Sequence, residues 1–154
     1  MKSYAELESS AFLDANARER AVGMADKGTF TELLGPMDHF TSPHLPVLGT
    51  AIEFDDGTVT GVGLLGKHPV FVISMEGKFI GGAVGEVNGA KMVNTLRLAL
   101  KTAKEIQEKH PEDYAERRPL VAVSFETGGV RLHEANAGLL AHAEVMDAIQ
   151  DCRK

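Results

Sequence analysis

Apolar side chains recur at helical spacing in three stretches of the chain. Residues 4–27 form the first stretch, and Gly28 closes it. The second stretch follows residue 91 and repeats apolar side chains every three or four residues until His110 and Pro111 end it. The third follows residue 129, and one of its faces carries Leu132, Leu139, Met146 and Ile149. We therefore predict three amphipathic helices, each packing its apolar face against a core.

Short apolar runs that end in turn residues predict strands between these helices. Three such runs are joined by tight turns, at residues 47–54, 58–65 and 69–75. Their short connections predict an antiparallel meander. A further apolar run at residues 120–125 predicts another buried strand. Residues 29–34 predict a short helical turn, and the three prolines of residues 35–46 predict an irregular loop.

Two Gly-Gly pairs, at residues 81–82 and 128–129, each stand between an apolar run and a predicted helix. Helix N-termini carry unpaired N–H groups and a partial positive charge, and glycine lets a ligand approach the backbone closely. Two such sites facing each other would form an oxyanion hole for a thioester carbonyl. Neither pair fits the glycine-rich phosphate motifs. The residues alone leave the choice open between tight turns, an anion site and an oxyanion hole.

Composition limits the classes of function. The 154 residues suffice for one domain, and 44% of them are apolar. The net charge of −6 argues against nucleic acid as a partner, because phosphates require a basic surface. No apolar stretch approaches the roughly 20 residues of a membrane span, and residues 1–16 lack the apolar core of a signal peptide. The lone Cys152 cannot form an internal disulfide, which fits a reducing cytoplasm.

Several charged residues near the glycine pairs have two interpretations. Arg131 and Glu134 have the spacing of a helical ion pair, although Arg131 could also meet a thioester or phosphate. Glu86 and Glu126 are candidate acids or bases, or simply favourable charges in a first helical turn. We expect no metal site, because His133 and His142 would lie on opposite faces of one helix. These alternatives stay open at the level of the residues.

Three segments resemble a known family. The segments FIGGAVGEVNGAKM at residues 79–92 and ETGGVRLHEANAGL at residues 126–139 resemble the signature segments of the β subunit of biotin-independent malonate decarboxylase. Residues 17–43 resemble the N-terminal region of the same family. The glycine segments are also similar to carboxyltransferase subunits of biotin-dependent acyl-CoA carboxylases. In the second segment, those subunits usually have the sequence Ser-Gly-Gly-Ala-Arg. His133 stands where the family pattern has Gln.

The resemblance implies an α/β, crotonase-like fold, a spiral of ββα units that is incomplete at the C-terminus because family members continue further. We expect one carboxyltransferase-like domain at residues 1–154, with an N-terminal helical segment and loop at 1–46 and a ββα core at 47–154. The resemblance implies a cytoplasmic hetero-oligomer with γ, acyl carrier (δ) and α subunits. It implies that the carrier bears a phosphoribosyl-dephospho-CoA arm, and that malonyl carrier is decarboxylated to acetyl carrier and CO2.

The same resemblance assigns residues to the site. The backbone amides of Gly82 and Gly129 would hold the enolate oxygen, while Gly81 and Gly128 shape the turns. Substrate or cofactor binding is expected at three further residues, namely Gly85, Lys91 and Arg131. Two alternatives remain: a carboxyltransferase subunit of a biotin-dependent acyl-CoA carboxylase, and a non-catalytic module for acyl-thioester binding or assembly.

Overall fold

The computed structural model describes residue 12 and residues 14–44 and 57–153. Within these residues, four strands form one sheet in the order β1-β2-β3-β4. The strands are β1 (Thr31–Leu34), β2 (Val59–Leu65), β3 (His68–Ser74) and β4 (Leu120–Ser124). The helices are α1 (Ala17–Gly23), α2 (Glu86–Lys109), α3 (Tyr114–Arg117) and α4 (Asn136–Asp151). None of the helices in the described part of the chain has the length and apolarity needed to cross a membrane.

The predicted hairpin of the second and third apolar runs is confirmed. Strands β2 and β3 pair antiparallel from Val59 opposite Ser74 to Leu65 opposite His68. Most of β3 is buried, because helices cover one of its faces and α1 covers the other. The strand predicted at residues 47–54 lies outside the described residues.

The helical turn predicted at residues 29–34 is wrong, because Thr31–Leu34 is an edge strand that pairs antiparallel with β2. Its exposed and half-buried residues alternate, as in a strand with one face on the protein. The ring of Phe30 packs onto Gly61 of β2, where any Cβ would overlap it. Gly61 in β2 therefore leaves the space that Phe30 occupies, and this lets β1 pack beside β2.

Helix α1 is shorter than the predicted helix. Asn16 accepts a hydrogen bond from the amide of Glu19, and the Glu19 carboxylate accepts one from the amide of Asn16. This reciprocal capping box fixes the start of the helix at Ala17. Residues 4–11 and residue 13 lie outside the described residues.

Helix α2 makes the crossover between two parallel strands, β3 and β4. It ends at Lys109, before His110 and Pro111, as predicted. Met92, Val93 and Leu96 on its inner face join Ile73 and Met75 in one core cluster. A βαβ crossover of this kind brings the C-terminal ends of β3 and β4 together at one edge of the sheet.

The predicted core face of the last helix is wrong except at Ile149, which is partly buried against the core cluster. Leu132, Leu139 and Met146 are exposed, whereas Val145 and Ala148 are buried. Helix α4 turns its small residues to α2, and a Cβ on Gly89 would come within 2.8 Å of Ala141 Cβ. Close approach of the two helix backbones therefore decides which face is buried.

Strand β4 is less buried than predicted. Val121 and the following Phe125 are exposed, because β4 is the edge strand of the described sheet. An open apolar cavity of about 680 Å³ lies between β4, α2 and the end of α4. The short exposed helix α3 lies between α2 and β4.

Candidate functional site

The two glycine pairs lie in neighbouring loops at one edge of the sheet. The first glycine segment, residues 79–85, follows β3, and the second glycine segment, residues 126–131, follows β4. Because β3 and β4 are parallel neighbours, their following loops leave the sheet side by side. Ligand sites of open α/β sheets lie at this edge, beyond the carboxyl ends of the strands.

Backbone hydrogen bonds join the two glycine segments. The Val84 amide donates to the Gly129 carbonyl oxygen at 2.7 Å, and the Arg131 amide donates to the Val84 carbonyl oxygen at 2.8 Å. The Gly128 amide donates to the Gly81 carbonyl oxygen at 2.8 Å. The structure therefore brings together two segments that lie more than 40 residues apart in the chain.

Glycine is required at two of these positions. Gly82 has φ +68°, and a Cβ there would overlap the carbonyl oxygen of Glu126. Gly129 has φ +107°, a backbone conformation that side chains other than glycine rarely adopt. The residue type at both positions thus follows from the main chain, whether or not a ligand binds.

The glycine pairs do not begin the helices. The expectation that their amides belong to helix N-termini is therefore wrong. Helix α2 begins at Glu86, and α4 begins at Asn136, seven residues after Gly129. Gly82 ends a short 3-10 turn instead. The amides of the two glycines therefore belong to tight turns, and the helix dipole does not act on them directly.

The amides of Gly82 and Gly129 have different partners within the chain. The Gly82 amide donates to the Phe79 carbonyl oxygen at 2.9 Å, and the residue is buried. The Gly129 amide donates to Thr127 Oγ1 at 3.0 Å in an exposed loop. A hydroxyl rotates away more easily than a carbonyl in a turn. The Gly129 amide is therefore the easier of the two to redirect to a ligand oxygen, and the role of both amides stays a prediction.

Arg131 and Glu134 form the predicted ion pair, but it is buried. Arg131 Nη1 donates to Glu134 Oε1 at 3.0 Å, and Arg131 Nη2 donates to the Ala83 carbonyl oxygen at 3.0 Å. Both side chains are at most 1% exposed. The other Glu134 oxygen accepts the Glu86 amide at 2.5 Å and so caps α2. This pair fastens the second glycine segment to the first.

Gly85 and Lys91 also occupy buried positions. A Cβ on Gly85 would lie 2.5 Å from Glu134 Oε1, so the residue leaves room for the buried ion pair. Lys91 is 3% exposed, and its ammonium donates to the Gly35 carbonyl oxygen at 3.0 Å. The ring of Phe40 lies 5.9 Å from the same ammonium. In this structure both residues support the loops, and the binding roles expected for them and for Arg131 stay predictions.

Glu126 is held by Arg20 of α1. Arg20 is 4% exposed, and its guanidinium donates to Glu126 Oε2 and to the Met75 carbonyl oxygen. The Gly77 amide, more than the guanidinium of Arg20, lowers the pKa of the Glu126 carboxyl below its ordinary value. This arrangement ties α1 to the point where β3 and β4 lead into the glycine segments.

Glu86 belongs to a cluster with Ser42 and His44 that the sequence analysis did not identify. One carboxylate oxygen of Glu86 accepts a hydrogen bond from Ser42 Oγ at 2.9 Å and lies 2.9 Å from His44 Nδ1. The Ser42 hydrogen bond, and then that of His44, lowers the pKa of the Glu86 carboxyl. No local pattern signals this contact, because more than 40 residues separate His44 from Glu86.

Metal-binding side chains are not gathered at the glycine segments in the described part of the chain. Among the described residues, the group whose ligand atoms lie close enough to share a metal ion is His110, Glu112 and Asp113. These atoms lie within 4.8 Å of one another. These residues are in the loop after α2, and Asp113 pairs with Arg117. The group is thus a local feature of this loop.

Comparisons with known proteins identify the fold. No family model matches the chain. A malonyl-S-ACP:biotin-protein carboxyltransferase of Malonomonas rubra is 63% identical over 153 residues, which cover 99% of this chain and 48% of that protein. The propionyl-CoA carboxylase beta chain of Saccharopolyspora erythraea is 33% identical over 131 residues, 84% of this chain and 20% of its own length.

Solved structures agree. A Pseudomonas malonate decarboxylase hetero-tetramer in complex with malonate contains a chain that is 40% identical, with a TM-score of 0.78 over 98% of this chain and 51% of that one. Transcarboxylase 12S matches at 26% identity, with a TM-score of 0.69 over 89% of this chain and 24% of that one. The predicted α/β, crotonase-like fold class is confirmed. The chain spans about half the length of the first of these relatives. Over that half, it belongs to the carboxyltransferase family that includes the malonate decarboxylase subunits.

Proposed function

We propose that the two glycine segments stabilise the enolate of an acyl thioester in a malonate decarboxylase, and that this chain supplies part of the β subunit. The observation that carries the proposal is the direct pairing of the two segments through Val84, Gly129 and Arg131. A paired, glycine-rich main chain at the carboxyl edge of a sheet can present amide donors to a ligand oxygen. The 63% identity to a protein named for malonyl-S-ACP supports a malonyl thioester as the substrate.

The chemical step requires electrostatic stabilisation more than a nucleophile. Breaking the bond between the malonyl methylene carbon and its carboxylate releases CO2 and leaves the electron pair on carbon. That pair delocalises onto the thioester carbonyl oxygen as an enolate. An amide aimed at this oxygen stabilises the enolate more than the substrate carbonyl, which lowers the barrier to decarboxylation.

Gly129 is the donor that the geometry favours. Its amide points to the Thr127 hydroxyl, which can rotate away when a thioester oxygen arrives. The Gly82 amide would have to leave the Phe79 carbonyl, so its contribution requires the turn at residues 79–82 to open. The carbonyl of Gly129 remains bonded to Val84 in either case and keeps the loop in place.

The proposed assembly follows the malonate decarboxylase relatives. We expect γ and α subunits and an acyl carrier (δ) subunit, whose phosphoribosyl-dephospho-CoA arm delivers malonyl to the glycine segments. The relatives of known structure are a hetero-tetramer and a hetero-dimer, which supports a hetero-oligomer here. We expect the assembly to work in the cytoplasm, where a free thiol such as that of Cys152 stays reduced.

Transfer of the carboxyl group to biotin is the second candidate function. The Malonomonas relative is named as a biotin-protein carboxyltransferase, whereas the Pseudomonas relatives are named as malonate decarboxylases. The enolate step is common to both reactions. They differ in the fate of the carboxyl group, which leaves as CO2 in one and passes to a biotin nitrogen in the other.

One assay tests the function and separates the two candidates. The complex that contains this chain is incubated with carboxyl-labelled malonyl carrier, and labelled CO2 and acetyl carrier are measured with and without avidin. Decarboxylation predicts stoichiometric CO2 and acetyl carrier in the presence of avidin. Transfer to biotin predicts that avidin blocks acetyl carrier formation. If neither product forms under either condition, the malonyl-thioester function is rejected.

A further inference from the structure

Ser42, His44 and Glu86 form a polar cluster at the start of α2. Besides the two contacts to the Glu86 carboxylate, the His44 amide donates to Ser42 Oγ at 3.2 Å. Ser42 is 1% exposed, whereas half of the His44 side chain is exposed. The His44 ring thus faces solvent on one side and contacts the buried Ser42 hydroxyl and the Glu86 carboxylate on the other.

The arrangement does not fit a serine hydrolase. In a nucleophilic triad, serine and carboxylate contact opposite nitrogens of the histidine ring. Here Ser42 Oγ lies 3.3 Å from His44 Nδ1, the same nitrogen that contacts Glu86. Ser42 is also buried, so a substrate carbonyl cannot reach its hydroxyl. Ser42 therefore orients the carboxylate and is not a nucleophile.

The Glu86 carboxylate determines which nitrogen of the His44 ring carries the hydrogen of their contact. Glu86 is an acceptor when ionised, so His44 Nδ1 carries the hydrogen of their 2.9 Å contact. The second nitrogen, Nε2, lies on the opposite side of the ring and is the one that exchanges a proton with a ligand or solvent. A carboxylate that orients an imidazole ring is typical of a general acid or base.

The cluster adjoins the glycine segments. Glu86 is two residues after Val84, so the Cα atoms of Glu86 and Val84 are at most about 7 Å apart. The Val84 amide donates a hydrogen bond to the Gly129 carbonyl oxygen. The Glu86 amide also donates to Glu134, which is held by Arg131 of the second glycine segment. The cluster that carries His44 is therefore connected to the second glycine segment twice, through the main chain at Val84 and through Glu134.

We propose that His44 is the general acid that protonates the enolate carbon after CO2 leaves. This inference rests on the proposed function, because it needs the enolate. The Nε2–H bond of the imidazolium breaks, a C–H bond forms on the methylene carbon, and the enolate electron pair becomes that bond. The product is the acetyl thioester, and neutral His44 takes a proton from water. Glu86 and Ser42 are positioning residues that act through the histidine ring.

The reverse of this step gives a direct test. In D2O, neutral His44 would remove a methyl proton from an acetyl thioester, and a deuteron would return to the carbon from the exchanged ring. The assembled complex is incubated with acetyl carrier, and deuterium in the acetyl group is measured by mass spectrometry. We expect exchange by the wild type, a loss of about 100-fold or more in His44→Gln, and recovery when imidazole is added to His44→Gly.

His68 provides a matched control. Its Nδ1 is also anchored to an oxygen, the Arg118 carbonyl, at 3.0 Å. It begins β3, at the end of that strand opposite to the glycine segments. His68→Gln should therefore exchange deuterium as fast as the wild type. Glu86→Gln should lower kcat for decarboxylation and leave KM unchanged, because the carboxylate acts on the histidine and not on substrate binding.

The outcomes separate the two proposals. If the wild type releases CO2 and His44→Gln exchanges deuterium at the wild-type rate, His44 is not the acid, although the enolate function stands. If imidazole does not restore exchange in a folded His44→Gly complex, the same conclusion follows. If the wild type neither exchanges deuterium nor releases CO2, the proposed function fails, and the role of His44 fails with it.

Discussion

The amide of Val84 donates a 2.7 Å hydrogen bond to the carbonyl oxygen of Gly129, and this contact joins two loops from distant parts of the chain. Val84 is 2% exposed, so the bond is shielded from water. The Arg131 amide returns a bond to the Val84 carbonyl and completes a parallel bridge. The loops that follow β3 and β4 are thus hydrogen-bonded to each other beyond the ends of the two strands.

Alanine at Gly82 should destabilise the protein much more than alanine at Gly81. Both residues have a positive φ, which costs alanine about 1–2 kcal/mol. At Gly82 the new Cβ would also overlap the Glu126 carbonyl oxygen, whereas nothing lies within 4 Å at Gly81. We expect a loss of about 3 kcal/mol or more for Gly82→Ala and about 1 kcal/mol for Gly81→Ala. Urea denaturation measures both, and equal losses would contradict this packing.

Removal of the Glu134 carboxylate should lower stability by about 3–5 kcal/mol, because it leaves the buried charge of Arg131 uncompensated. Glu134→Ala also removes the acceptor of the Glu86 amide at the start of α2. Glu116→Ala is the control, since its 3.4 Å pair with Lys67 is exposed and worth at most about 1 kcal/mol. Thermal or urea denaturation of both variants tests this. A loss below about 1 kcal/mol for Glu134→Ala would mean that Arg131 finds another partner.

The pKa of Glu86 should rise when Ser42 is replaced by alanine. The hydrogen bond from Ser42 is the largest cause of the lowered pKa of this carboxyl. The stabilisation from ionised Glu86 is present above the pKa of the unfolded chain and is lost as pH falls through the lower pKa of the folded state. Ser42→Ala should therefore shift this loss to higher pH. Carbon-13 NMR titration of the glutamate carboxyls measures the change.

Glu126 is the internal control in that titration. Its pKa is lowered by the Gly77 amide and by Arg20, neither of which contacts Ser42. Its pKa should be the same in the wild type and in Ser42→Ala. A shift of both carboxyls would indicate a general disturbance of the glycine segments, and an unchanged Glu86 would remove Ser42 as the cause.

Lys91→Met should affect stability and not the binding of a CoA thioester. The buried ammonium donates to the Gly35 carbonyl oxygen, which also accepts the Asp38 amide at 3.2 Å. Loss of this charge-assisted hydrogen bond should cost about 1–3 kcal/mol. Lys101→Met removes the same charge from the exposed side of α2 and should change stability by less than about 0.5 kcal/mol. Calorimetry with acetyl-CoA measures affinity. A selective loss of affinity in Lys91→Met would support the binding role that the sequence indicated.

The sequence predicted the elements whose patterns are local. The hairpin of β2 and β3 and the long helix α2 were predicted because turn residues and apolar periodicity identify them directly. The strand Thr31–Leu34 was missed because it depends on pairing with β2, which no local pattern reveals. The apolar face of α4 was assigned wrongly at Leu139 and Met146, since the contact between Gly89 and Ala141 selects small residues for the helix interface.

The candidate site was predicted in part for the same reason. Gly82 and Gly129 could be identified from the sequence because their positive φ angles restrict the residue type to glycine. The cluster of Ser42 and His44 with Glu86 could not be predicted, because it depends on where an irregular loop crosses the start of α2. The pairing of Arg131 with Glu134 was predicted from spacing, but its burial follows from the packing of the two glycine segments.

The most direct test replaces the Gly129 amide by an ester through incorporation of glycolic acid, which deletes one N–H group and keeps the carbonyl and the side-chain-free backbone. Carbon dioxide release from malonyl carrier is then measured in the assembled complex. The same replacement at Gly66, whose amide donates to Asp26 Oδ2 at 2.7 Å in a distant exposed turn, is the control. The account predicts a rate lower by roughly 100- to 1,000-fold at Gly129 and unchanged at Gly66. An unchanged rate at Gly129 in a folded complex would contradict it.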